Sequence, residues 1–438
     1  LSLRIRNWIW LFRSCPDLAT PARLQSLWQQ LCWLQTHPEQ YLGGNHWLEN
    51  LITLSIGSIQ FDGAEAQKMY RRAICLLKQE LTSQILSDGG HEERSASYHI
   101  LILDRLVELA CVLSSVKGIR PDWLHQTINA MRIWIRAIRL NGGQAPRFND
   151  SPEDLTPPLD EVLEFATAHL NQRHVNPKNL AADPVSWGVR QLLLQAALAD
   201  RTPSKAIDIS TPEQLSGAIT DLPSTGWTLL RPSNGWELIF KCGMPCPKHL
   251  PPHVHSDQLS FELCHLGRHV ISEVGTSVYE NGPERSYERS GAAHNVLQIG
   301  NTSASGEIKW IEPVEIWGNF RAGRKAQPSQ RSCGQSPQGI YFAEGSHDGY
   351  ERHGACHHRR IELTGPFREH MRLELIDTLT TKSQFAFRIW WHLAPEINDM
   401  LLESLQMDAP TANSLKSSWK ETWFSIGFAK RIIRSSFC

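Results

Sequence analysis

Two histidines one residue apart stand in His253-Val-His255-Ser-Asp257-Gln-Leu-Ser-Phe261. Side chains alternate along an extended strand, so both imidazoles are expected on one face. Imidazole is costly to bury without a partner, titrates near neutral pH and is the commonest metal ligand. Glu273 follows in Val270-Ile-Ser-Glu273, expected on the next strand, and His294 in Arg289-Ser-Gly-Ala-Ala-His294-Asn295. These histidines and the carboxylate make a reasonable zinc set, with Asp257 as a partner that orients an imidazole. A hydrogen-bonded core network without metal is the alternative reading.

Two further clusters lie earlier in the chain. Asn45-His46-Trp47-Leu48-Glu49-Asn50 follows a double glycine at the mouth of a helix, with Asn45 as a plausible N-cap. His46 and Glu49 are three apart and share a face. A helix N-terminus carrying an amide and an imidazole suits a carboxylate ligand, because backbone N–H groups and the dipole already favour an anion. Asp88-Gly-Gly-His91-Glu-Glu-Arg94-Ser-Ala-Ser97-Tyr98-His99 sets charged groups beside a tyrosine. A phenol with a reference pKa of about 10 becomes a base only where cations stabilise the phenolate, and His91, Arg94 and His99 are the expected cations. A solvated turn with Tyr98 in packing is the plainer reading. The group His347-Asp-Gly-Tyr350 with Cys356-His357-His358-Arg359-Arg360 is expected on a β-turn and returning strand, in a structural or rim role.

Positioning these groups takes two kinds of element. To about residue 205, apolar residues recur at three- and four-residue spacing over 21–36, 46–59, 64–86, 96–115, 120–140, 158–171 and 185–199. The joints between them are short, as at Gly43-Gly44-Asn45 and Asn141-Gly142-Gly143. Such a run predicts antiparallel helical hairpins, of which an (α/α) toroid is one arrangement. Past a proline-marked change (Pro203, Pro212, Pro223), short β-rich runs follow every eight to twelve residues or so, the pattern of an antiparallel β-sandwich. The expected domains are 1–210, all-helical, and 211–438, β-sandwich. The final stretch, with Lys430, Arg431 and Arg434, reads as a solvated tail.

The chain has 438 residues, enough for two cores, with 41% hydrophobic and 20% charged residues. A net charge of −1 provides no global field for nucleic acid or an anionic membrane. No run approaches the ~18 apolar residues of a membrane helix. Sixteen tryptophans suit sugar stacking as well as cores. Ten cysteines lack framework spacing, Cys242 and Cys246 being the close pair, which favours scattered thiols. The chain begins at Leu1, without methionine, inside an amphipathic pattern (Trp8, Ile9, Leu11, Phe12), as expected of a processed product or a fragment.

Taken in order over roughly 40–395, these stretches, with Glu273-Val-Gly-Thr-Ser-Val-Tyr279, resemble the heparinase II/III-like polysaccharide lyases, which have relatives acting on alginate. The resemblance implies an N-terminal (α/α) toroid, here begun part-way, followed by an antiparallel β-sandwich. It implies that Asn45 and His46 neutralise a uronate carboxylate, that Tyr98 takes the C5 proton, and that His253 is a second acid/base or carboxylate-binding group. Glu49, Arg94, His99, Tyr279 and Arg289 are expected to contact substrate. His255, Glu273 and His294 match a structural zinc site of some members, with Glu273 where aspartate is usual. A lyase acting on acidic polysaccharide or oligosaccharide in the periplasm or cell envelope is the expectation, and oligomeric state stays open. Two other readings stand beside it. One is a non-catalytic carbohydrate-binding or surface-polysaccharide assembly protein of the same fold; the other is a zinc hydrolase using His253, His255 and His294.

Overall fold

The computed structural model describes residues 1–172, 184–198, 217–232, 235–367, 370–395, 397, 419–427 and 430–437. The proline-marked stretch around Pro203 and Pro212, and Cys438, lie outside the described residues. The chain divides into two compact units. One comprises Leu1–Glu92, Tyr98–Arg136 and Pro157–Ser210; the other comprises Glu93–Ser97, Ala137–Thr156 and Thr211–Cys438. The single change of character read near 210 is thus supplemented by two short excursions, 93–97 and 137–156, that group with the β unit.

In the helical unit the described helices are α1 (Ser2–Ser14), α2 (Pro21–Thr36), α3 (Gly44–Ser58), α4 (Ala64–Gln84), α5 (Ala96–Lys117), α6 (Asp122–Ile138), α7 (Leu159–Asn171) and α8 (Pro184–Leu198). α4 buries Ala66, Met69, Ala73, Leu77 and Leu81, one apolar stripe at helical spacing. α3 is buried almost all round, from Leu51 through Ser58, so it lies inside the array. Gly57 makes this possible, because a Cβ there would fall 2.4 Å from Leu31 Cδ2 of α2. Gly43 and Gly44 take φ of +67° and +48° and start α3 one residue before Asn45, which therefore occupies the first turn and is not the N-cap. Among the described residues no helix is long and apolar enough to cross a membrane.

The β unit is antiparallel throughout its described pairs. β1 (Ile219–Leu222), β2 (Trp227–Leu230), β3 (Trp236–Lys241), β4 (Phe261–His265) and β5 (Arg268–Ile271) form a five-stranded meander in that order. A second sheet runs β11 (His370–Thr381), β10 (Ala355–Phe367), β9 (Tyr341–His347), β8 (Pro328–Gln335). Leu238, Phe240, Phe261 and Leu263 of the first pack against Ala343, Ile361 and Leu363 of the second, which is the core of a sandwich. A third sheet, β12 (Ala386–Ile389), β6 (Leu297–Thr302), β7 (Ile308–Ile311), carries a smaller cluster around Ile299 and Tyr350. A short helix, α9 (Pro283–Arg289), precedes β6.

Three expectations change here. The final stretch is a strand: β15 (Lys430–Phe437) pairs with β13 (Trp391–His392) and β14 (Trp419–Gly427). Residues 253–260 are not a strand either, since β4 begins at Phe261 and the segment before it is a loop. Glu273 likewise lies beyond the end of β5.

The close approach at Gly57 is testable. Gly57→Val should destabilise the helical unit by about 1–3 kcal/mol through overpacking, seen as a lower thermal midpoint in far-ultraviolet circular dichroism. An unchanged midpoint would mean that α2 and α3 do not touch there.

Candidate functional site

The β unit gathers its polar groups around Asp150, a fully buried residue of the 137–156 excursion. His253 Nδ1 lies 3.0 Å from Asp150 Oδ2, and His255 Nε2 lies 2.8 Å from Oδ1. Arg285 of α9 grips both oxygens, with Nη2 at 2.6 Å, and Thr276 Oγ1 donates to Oδ1 at 3.3 Å. Burial alone would raise the carboxyl's pKa, but Arg285 and the two imidazoles hold it well below the ordinary carboxylate range. The two histidines do meet on one group. They do so because the loop at 253–255 folds around a carboxylate, and not through strand alternation.

His253 also faces a second acid, its Nε2 lying 3.3 Å from Glu93 Oε2. The ring of Tyr279 lies 6.3 Å away, centroid to centroid. His255 is entirely enclosed, and burial pushes its pKa down to about 3, so the ring is neutral and donates Nε2–H to Asp150. That leaves the His255 Nδ1 lone pair without a hydrogen-bond partner. His294, with its ring 5.2 Å from that of His255, contacts Glu273 through Nδ1 and has no partner for Nε2. The Glu273 carboxylate outweighs burial and raises the His294 pKa. Glu273 also accepts from Ser260 Oγ.

Two unpartnered imidazole nitrogens beside a carboxylate are chemically suited to zinc. Among the described residues, however, no three His, Cys, Asp or Glu side chains are grouped as a ready-made cage. In this arrangement Glu273 backs His294, as an orienting partner does.

A second buried pair fixes the backbone that carries Asp150. Lys241 Nζ, fully enclosed, donates to Asp257 Oδ1 at 2.6 Å and to Asn149 Oδ1 at 2.8 Å. Asp257 Oδ2 accepts from Asn149 N at 3.1 Å, and Asn149 Nδ2 donates to the carbonyls of Arg94 and Pro245. Asn149 takes φ of +57°, a left-handed turn that Asn tolerates better than most residues. The Asn149 N–H and both ends of its side-chain amide are thereby engaged, and Asp150 beside it is buried. Asp257 accordingly positions Asn149 and Lys241; it does not orient an imidazole directly.

The helical unit holds Asn45 and His46 in the first turn of α3, Asn45 buried and His46 exposed, with His46 Nδ1 3.7 Å from Glu39 Oε2. Tyr98 is half-buried in the first turn of α5. The remaining expectations divide. Glu49 is taken up by Arg6 and Arg105, at 2.6 and 3.1 Å, and so serves the helical core. His99 is enclosed, with Nε2 3.0 Å from the Met131 carbonyl and its ring against Trp134, and burial pushes its pKa down to about 3. It is therefore neither a cation for Tyr98 nor a substrate contact. Arg94 is buried in the 93–97 excursion and donates to the Ser224 carbonyl at 3.2 Å. Arg289 is buried too and donates to the Val254 carbonyl at 2.9 Å, which pins the histidine loop. Tyr279 alone of this group stands half-exposed beside His253.

Asp150, Glu93, Lys241 and Arg285 were not singled out from sequence. The available signal was Arg147-Phe-Asn149-Asp150-Ser-Pro152, an Asn-Asp turn before a proline that passes as an interhelical joint.

Comparison with known proteins agrees with this architecture. Residues 16–168 match the model of the heparinase II/III N-terminus, and residues 215–431 match that of the heparinase II/III-like C-terminal domain. The chain belongs to the heparinase II/III-like family. It is 25% identical over 294 residues to a heparin-sulfate lyase of Pedobacter heparinus, covering 64% of this chain and 39% of that protein. With a heparin-sulfate lyase of Bacteroides stercoris it shares 22% over 321 residues, 69% of this chain and 42% of that one. The chain thus spans about two fifths of the length of these relatives. Among solved structures, a heparinase III aligns over 100% of this chain and 65% of its own at 15% identity, with a TM-score of 0.70. A heparan sulfate lyase from Pedobacter heparinus aligns over 95% and 60%, at 18% identity and a TM-score of 0.60. At these identities the structures establish the fold: a helical toroid-type array, then a β-sandwich.

Two measurements probe this geometry. Lys241→Met should cost about 3–5 kcal/mol in urea unfolding, because Asp257 is left buried and uncompensated. Adding Asp257→Leu should recover part of that loss, and strictly additive losses would mean that the two do not form a pair. For His99 the folded pKa lies below the unfolded value of about 6.5, so its contribution is whole above that pH and shrinks as pH falls toward about 3. Stability of the helical unit should drop by about 1.4 kcal/mol per pH unit in that window from this group. His99→Phe should flatten the slope, and an unaltered slope would place the proton uptake elsewhere.

Proposed function

We propose that this protein is a polysaccharide lyase that cleaves uronate-containing acidic polysaccharide by β-elimination. The observation that carries the reading is His253, held in one orientation between Asp150 and Glu93 and still beside a half-exposed tyrosine, in a chain of this family. A histidine braced from behind by a buried carboxylate is set up to hold or move a proton at a fixed point. The relatives' names, heparin-sulfate lyase, support the substrate class.

In this reading Asn45 and His46 receive the uronate carboxylate. The first turn of α3 offers backbone N–H groups and the positive end of the helix dipole to the same anion. The C5 proton is weakly acidic, and its removal spreads a second negative charge onto that carboxylate. Donors aimed there stabilise the developing charge, by about 3–4 kcal/mol each in comparable sites. Tyr98 Oη takes the C5 proton, the C5–H electron pair becomes the C4=C5 double bond, and the C4–O bond breaks. The leaving oxygen receives a proton from Tyr98 or His253, which balances the step.

Zinc, where bound by His255, Glu273 and His294, would supply fixed positive charge that holds these segments together. The chemistry itself uses only the side chains named. A periplasmic or cell-envelope setting goes with the same reading.

The test is absorbance at about 235 nm, where the unsaturated uronate product absorbs, on a panel of acidic polysaccharides. The wild type should produce a rise on at least one of them. Tyr98→Phe should lose it by about 100-fold or more, in the range of general acid–base catalysis, with its circular dichroism unchanged. A folded, zinc-supplied wild type that is silent on every member of the panel would overturn the lyase reading.

A further inference from the structure

Next to His253 the β unit carries a feature that neither the fold nor the proposed chemistry requires. Residues 315–324 form a small hairpin closed by Glu315 N to Arg324 O at 2.9 Å and Trp317 N to Arg321 O at 2.8 Å, with Ile316 bridged to Ala322. Trp317 and Arg321 are therefore opposed across the hairpin, and their side chains leave the same face. Trp317 is 57% exposed and Phe320 43% exposed, two large apolar side chains left in water three residues apart on the hairpin.

Trp317 nonetheless has a built seat. Gly323 lies under the indole so closely that a Cβ there would come within 2.4 Å of Cζ2. The tip is tied to the site as well. Arg285 Nη2 donates to the Asn319 carbonyl at 3.1 Å, Arg289 Nη1 donates to the Gly318 carbonyl, and Asn319 Nδ2 donates to the Tyr279 carbonyl at 3.0 Å. The Phe320 ring stands 5.7 Å from that of Tyr279, which is the ring beside His253.

The hairpin itself carries one acid, Glu315, against two arginines, Arg321 and Arg324. Glu315 is engaged by Arg352, and Asp348 lies 3.7 Å from Arg324. The exposed tip carries Arg321, and Lys325 reaches the backbone of exposed Lys248. A seated indole and a guanidinium on one face match a pyranose ring bearing an anionic group: the apolar face of the sugar covers the indole and the anion meets the arginine.

We propose that the 315–324 hairpin is a sugar subsite that binds a pyranose unit of an acidic polysaccharide away from the scissile bond. Trp317 and Phe320 form its stacking surface, and Arg321 its anion contact. This deepens the lyase reading and names a part of the polymer-binding surface outside the reacting groups.

The full chain is tested in affinity gels cast with heparan sulfate, alginate or hyaluronan, and in parallel by initial rates on polymer. Trp317→Ala and Arg321→Ala should each abolish most of the retardation. On polymer they should raise KM by about tenfold with kcat unchanged, a tenfold change corresponding to about 1.4 kcal/mol. Trp317→Phe should retain most of the binding. Both residues are exposed, so circular dichroism should match the wild type. Retardation and KM unchanged in both variants would overturn the subsite even if the enzyme cleaves polymer. A wild type retarded by none of the gels would overturn it too. Retardation that depends on Trp317 in a protein that cleaves nothing would uphold the subsite while the lyase reading fails.

Discussion

A carboxylate removed from water must be met by positive charge and hydrogen bonds, or it will not stay ionised. Asp150 is the point at which this constraint organises the β unit. Its two oxygens draw in the loop at His253 and His255, the Thr276 segment and α9 through Arg285, pieces with no strand pairing among them. None of these partners is free to relax away without leaving the others uncompensated. That interdependence ties these separate segments, three irregular and one the short helix α9, to a single carboxylate, and it explains why the histidine spacing is realised on a loop.

Around this centre the same logic repeats at lower charge density. Lys241 and Asp257 hold Asn149 in its left-handed turn. On the sandwich side, Arg359 is locked by Asp377, at 2.8 and 2.9 Å, and donates to the carbonyls of Leu259 and Asn295. Those carbonyls belong to the ends of the two segments that bear the histidines. Gly349 N–H points at His347 Nδ1, so His347 carries its proton on Nε2 and offers it to His357 Nδ1. His357 then donates from Nε2 to Asp377 at 2.7 Å. Burial keeps both rings neutral, and the tautomers follow from that single backbone donor. The His347–Arg360 group is thus structural: it braces the sheet that supports the site.

The elements were legible because their periods are strong. α2, α4 and α7 fall within about two residues of the apolar repeat that announced them, and β2 is the run Trp227–Leu230 itself. The site was only half legible. His253 and His255 were visible as a pair because their spacing is tight and imidazole is costly to bury alone. Their partner Asp150 lies more than 100 positions earlier, and a carboxylate in a joint between two helical repeats looks like any solvated turn. His99 and Glu49 misled in the opposite way. Both are polar residues on helices, and only the structure shows that Trp134 and Arg6 claim them for the interior. A polar residue's role is set by which partner reaches it first, and that is a tertiary fact.

The arginines of α9 show how far the reach of one buried charge extends. Arg285 neutralises Asp150 with the tips of its guanidinium, yet the same group also holds the Asn319 carbonyl, and its Cζ lies 5.1 Å from the Tyr279 ring centre and 5.9 Å from that of Phe320. Arg289, one helical turn on, joins the Val254 carbonyl in the histidine loop to the Gly318 carbonyl in the hairpin. Burial pushes the Arg289 pKa down to about 10, still far enough above neutrality to leave it charged. The backbone that aims His253 and the backbone that presents Trp317 are therefore fixed by the same two cations. A hairpin of ten residues with two glycines would otherwise be free to swing, and its exposed aromatics would then contribute little to binding, since ordering them would consume the gain. Because the α9 arginines are already committed to Asp150 and the Val254 carbonyl, that ordering is complete before any ligand arrives.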